Sequence, residues 1–135
     1  EPNSFVGLMT LYESNYIKLN HLFPKIKQYD ADISIKSPFG NDIHLGINKK
    51  TKYTMIISMT YSFEESEIIE YEPNLTIKIY FDSRSAEVIG IGELSKKSKL
   101  RDITYQNKGI INQLWRRNII LNKWLDYIID CDYSV

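Results

Sequence analysis

Apolar residues recur at three- and four-residue steps through the first part of the chain. Phe5, Leu8, Leu11, Tyr12, Asn15, Leu19 and Leu22 fall on one stripe, the spacing of an amphipathic helix with one face against a core. Ser4 stands where an N-cap belongs, and Pro24 disfavours helical backbone at Phe23, so the helix is expected over 4–23. Further on, the period changes to two. ADISIKS sets Ile33 and Ile35 against Asp32, Ser34 and Lys36, and DIHLGIN repeats the pattern with Ile43, Leu45 and Ile47. TKYTMIISMTYSF alternates Tyr53, Met55, Ile57, Met59 and Tyr61, NLTIKIYF alternates Leu75, Ile77, Ile79 and Phe81, and SAEVIGIGE is a fifth run. Such alternation belongs to an antiparallel sheet with one dry face and one wet face.

Short turn-forming stretches at 38–41, 48–50 and 82–85 read as hairpins. The acidic stretch EESEIIEYEP, 64–73, reads as a longer excursion at the sheet edge, and LSKKSKLRD, 94–102, as a solvated basic loop. Asn107 is placed to cap a last helix running to about Asp130. Its stripe is Ile110, Leu114, Leu121, Trp124, Leu125 and Ile128, interrupted by Asn118. The expected fold is a single α+β domain over 1–135. An N-terminal helix, a five-stranded antiparallel meander and a C-terminal helix form two layers, with both helices on one sheet face.

Composition narrows the function classes. With 135 residues and a formal charge of zero, the chain can bury a core without staples and offers no bulk attraction to nucleic acid or anionic membrane. One cysteine, Cys131, excludes an internal disulfide framework and makes the cytoplasm the default compartment; near the end of an apolar helix it reads as a small buried hydrophobe. No apolar run is long enough to span a bilayer. The first residues, EPNSF, do not form a signal peptide, and the missing initiator Met suggests trimming or processing. Abundant Ile, Lys, Asn and Tyr fit an AT-rich bacterial genome.

Three segments carry a resemblance. FVGLMTLYESNYIKLNHLFP, LTIKIYFDSRSAEV and QNKGIINQLWRRNIILNKWLDYIIDC resemble, in that order, the DUF1249 or YqiB-like family of small gammaproteobacterial proteins of unknown function. The matches are Leu8, Met9, Leu11, Tyr12, Glu13, Asn15 and Tyr16, then Tyr80, Asp82, Ala86, Glu87 and Val88, then Lys108, Trp124, Leu125 and Cys131. Phe81 stands where the family has His, so chemistry by such a His is unavailable here. The resemblance implies a family and no activity.

Candidate chemistry is sparse. His21 and His44 lack further ligands at metal spacing, and no metal or cofactor is expected. No nucleophile elbow, phosphate loop or dinucleotide fingerprint occurs. If Ile89 and Ile91 faced the core, Glu87 would be drawn inward and need Arg84, a Tyr hydroxyl or an Asn amide as partner. Tyr12, Asn15 and Tyr16 lie on neighbouring helical rows, where they could satisfy buried groups, Asn118 among them, or line a groove between both helices and the 82–87 hairpin.

The leading function is a non-enzymatic protein-binding or regulatory module. Small-molecule or nucleotide binding in that groove, by Tyr12, Asn15, Tyr16, Asp82, Arg84, Glu87 and Asn118, is the second reading. The third is RNA binding over 94–117 through Lys96, Lys97, Lys99, Arg101, Arg116 and Arg117, with Tyr105 and Trp115 as stacking surfaces.

Overall fold

The computed structural model describes residues 4–38, 42–61, 74–91, 109–131 and 133. Helix α1 spans Phe5–Leu22, a 3-10 turn spans Ile26–Gln28, and strands β1 Ile33–Ile35, β2 Ile43–Lys50, β3 Thr54–Tyr61, β4 Asn74–Tyr80 and β5 Ser85–Ile91 follow. Helix α2 spans Ile110–Asp130. The strands form one antiparallel meander in the order β1-β2-β3-β4-β5. Ser4 caps α1, its hydroxyl accepting from the Gly7 N–H at 3.0 Å. The cap of α2 is Gly109 in extended backbone, with no side-chain bond, and not Asn107.

The alternation buries one pleat of the sheet. Ile43, Leu45, Met55, Ile57, Met59, Leu75, Ile77, Ile79, Ala86 and Val88 all face a core closed by Leu19, Phe23 and Ile26 and by Leu121, Trp124, Leu125 and Ile128 of α2. A second cluster joins Leu8, Leu11 and Tyr12 to Leu114, Trp115 and Ile119. Contacts advance together along both helices: Asn15 meets Asn118, and Lys18 meets Asp126. The helices therefore run parallel. Relative to β5, α1 runs the opposite way, since Asn15 bonds Ala86 while Tyr16 and Asn20 approach Ser83 and Arg84.

Several expectations fail for local reasons. Phe5 and Ile110 sit on the helical stripes but are 63% and 74% exposed: each lies in the first turn of its helix, outside both core clusters. The β2–β3 turn is 51–53 and not 48–50. An extra residue at Asn48 makes a bulge, so β2 continues to Lys50. A second bulge places Gly90 opposite Thr76 but Val88 opposite Ile77, leaving Ile89 as the extra residue. Val88 and Ile91 thus both pack on the core, Ile89 turns out, and the Glu87 face is not the dry one. Cys131 is half-buried at the C-cap of α2, outside the core. The acidic stretch 64–73 and the basic loop 94–102 lie outside the described residues.

Candidate functional site

Among the described residues β5 is the outermost strand next to β4, and one row of its backbone groups has no strand partner there. Side-chain amides take that place. The Asn118 Oδ1 accepts from the Val88 N–H at 2.8 Å and from Asn15 Nδ2 at 3.2 Å, and Asn15 Nδ2 also donates to the Ala86 carbonyl at 3.3 Å. Asn118 Nδ2 donates to the Leu114 carbonyl, while Asn122 Nδ2 donates to Asn15 Oδ1 and to the Ser14 hydroxyl. Lys18 Nζ closes the set on Asn122 Oδ1 at 2.7 Å and on Asp126 at 2.7 Å. Asn15 and Asn118 are fully buried. Each of these amides has its oxygen and nitrogen engaged, as burial demands.

Around the edge of β5 lies a carboxyl between two phenols. The Tyr80 hydroxyl donates to Glu87 Oε2 at 2.6 Å, and the Tyr12 hydroxyl bonds the same carboxyl. Burial, with the neighbouring Glu87, pushes Tyr12 from 10.0 up to about 12, against the opposing pull of the Arg117 guanidinium. Burial and the bond to Glu87 likewise push Tyr80 up to about 12. The Arg117 Nε is buried without a hydrogen-bond partner among the described residues.

A cleft of about 410 Å³ opens between α1 and the β4–β5 hairpin, lined by Glu13, Tyr16, Ile17 and Asn20 and by Ser83 and Arg84. Positions 13, 16, 17 and 20 share one helical face. The hairpin loop is held by the Ser83 N–H on Asp82 Oδ1 at 2.9 Å and by Ser83 and Ser85 hydroxyls 3.0 Å apart. Arg84 has φ of 55°, left-handed backbone that glycine or asparagine takes more readily.

A family model for proteins of unknown function, DUF1249, matches residues 18–134. The chain belongs to the DUF1249 family. No curated protein and no solved structure matches it. The hairpin and α2 of this DUF1249 protein, with Asp82, Glu87 and Asn118, lie inside the matched stretch, whereas Tyr12, Asn15 and Tyr16 precede it.

The groove expected between both helices and the hairpin is divided. Tyr16 and Arg84 line the cleft of the DUF1249 protein, Tyr12 and Glu87 form the phenol–carboxyl cluster, and Asn15 and Asn118 are consumed by the β5 edge. Asp82 is exposed and bonds its own loop. Glu13, Ile17, Asn20 and Ser83 are lining residues that the sequence reading does not include, although 13, 17 and 20 stand at helical spacing from Tyr16. Arg116 faces a second surface cleft of about 340 Å³ with Asn112, Trp115 and Ile119. Arg117 is half-buried beside Tyr12, so the two arginines do not share a surface. Lys96, Lys97, Lys99, Arg101 and Tyr105 lie outside the described residues. Among the described residues no group of three or more His, Cys, Asp or Glu could hold a metal, and no helix is long and apolar enough to cross a membrane.

The phenol cluster has a pH signature. A tyrosine that ionises less readily in the fold than in the unfolded chain stabilises the fold below pH 10, and that contribution fades as pH rises from 10 to about 12. Urea midpoints measured across this window should fall, and Tyr80→Phe should flatten the fall. Parallel losses in both proteins would remove Tyr80 as a cause.

Proposed function

We propose that this DUF1249 protein is a non-enzymatic protein-binding module whose docking surface is the end of the molecule where α1 and α2 begin. The observation that carries this reading is a concentration of exposed apolar side chains. Because the helices are parallel, Phe5, Val6 and Met9 share an end with Ile110 and Ile111, exposed by 36% or more in each case. Strand β5 runs against α1, so Ile89, turned outward by its bulge, points from the same end. Scattered apolar residues need no explanation, but a rim of large ones gathered at one end marks a contact surface. The buried amides support a binding role over catalysis, since their donors and acceptors are already used by the fold. The fitting partner is an amphipathic segment that lays an apolar face across the two first turns.

Cross-linked capture at low salt should recover a defined partner with the wild-type protein. A Phe5→Asp, Ile110→Asp variant should lose it by tenfold or more, since each apolar anchor is worth about 1.5–3 kcal/mol when fully buried. Both positions are exposed, so thermal stability should hold within about 0.5 kcal/mol. Equal recovery by the variant, or no specific partner at all, would refute the assignment.

A further inference from the structure

We infer that the cleft between α1 and the β4–β5 hairpin is a second, separate binding site, for a small zwitterion with an apolar body: an amino acid or dipeptide with free amino and carboxyl ends. Its volume of about 410 Å³ falls within the range of small-ligand sites. Two opposite charges, Glu13 and Arg84, line it, and neither has an ion-pair partner among the described residues. Opposite charges that share a cleft without pairing leave one acceptor and one bidentate donor for a ligand's two ends. Between them Tyr16 and Ile17 supply an apolar floor, Ile17 67% exposed and Tyr16 packed on the core below.

The backbone at Arg84 points the same way. Left-handed backbone at a non-glycine residue is disfavoured and, in strained form, gathers at ligand sites. Glycine would fit this turn with less strain, yet the turn carries the one cation that lines the cleft among the described residues. The lining also discriminates among ligands. A nucleotide's phosphate would place two negative charges beside a single arginine and next to Glu13, whereas a carboxylate–ammonium pair meets an opposite charge at each end.

The test is a titration of isotope-labelled protein, followed by amide NMR shifts, with a dileucine peptide, its N-acetylated form, its C-amidated form and AMP. The free peptide should shift amides of residues 13–20 and 83–84, and each capped form should bind at least tenfold more weakly. Arg84→Gly relieves the turn and keeps the fold, so its spectrum should remain dispersed while it loses the penalty for C-amidation. Glu13→Gln should lose the penalty for N-acetylation. No shifts at millimolar peptide, equal binding of the capped forms, or AMP binding in place of peptide would each overturn the assignment. Neither Phe5 nor Ile110 lines this cleft, so loss of partner capture by their variant leaves the outcome here independent.

Discussion

Replacing Asn118 by Ala should destabilise the protein by about 3–5 kcal/mol, a loss well beyond that of an average substitution. The change strips the Val88 N–H of its acceptor at the side of β5 that no described strand pairs, and it removes an acceptor from the Asn15 amide. Both groups are buried, and each buried donor left unpaired costs about 1–3 kcal/mol. The melting temperature should fall by roughly 10–20 °C for a domain of this size. A double-mutant cycle with Asn15→Ala should return a coupling of about 1–3 kcal/mol, because the two amides bond each other and, on the same edge of β5, Ala86 and Val88. A loss under about 1 kcal/mol would mean that water reaches Val88 and that the edge is not sealed.

The second large effect is expected at Phe23. Phe23 is fully buried, caps α1 through its N–H on the Leu19 carbonyl at 2.8 Å, and meets the Tyr29 ring edge-on at 6.5 Å. Truncation to Ala should cost about 3–5 kcal/mol, the range for deleting a buried aromatic ring. Phe5→Ala is the matched control. The same residue type in the same helix, exposed in its first turn, should change stability by no more than about 0.5 kcal/mol. Chemical denaturation of both variants separates the two positions, and equal losses would contradict the assignment of Phe5 to the surface.

That contrast marks what period alone can convey. The helices, the five strands and their meander were legible because a three-to-four or two-residue repeat survives along each element. The link between Asn15 and Asn118 was legible too, as polar residues set into apolar stripes. Period cannot say how far along a helix the core reaches, so the stripes of both helices take in Phe5 and Ile110 although neither is buried. Nor could it detect the bulges at Asn48 and Ile89, where one inserted residue exchanges the faces of a strand. Of the candidate site, Tyr16 and Arg84 are legible in the sequence, but Asn20 and Ser83 are ordinary surface residues until the hairpin folds beside α1.

The sealing of β5 by amides from both helices also orders events during synthesis. Asn15 and Asn118 stand 103 residues apart, so α1 leaves the ribosome with the whole sheet still to be made and α2 later still. The meander closes through hairpins between neighbouring strands, whereas the helix pair must close a loop spanning most of the chain, a step whose entropy is recovered only when both helices are present. A nascent chain lacking α2 therefore carries an uncovered sheet face and an unclasped first helix, a state in which exposed strands invite chaperones or aggregation. Helix α2 acts as the latch of the fold, and the clasp on β5 forms only once it has emerged.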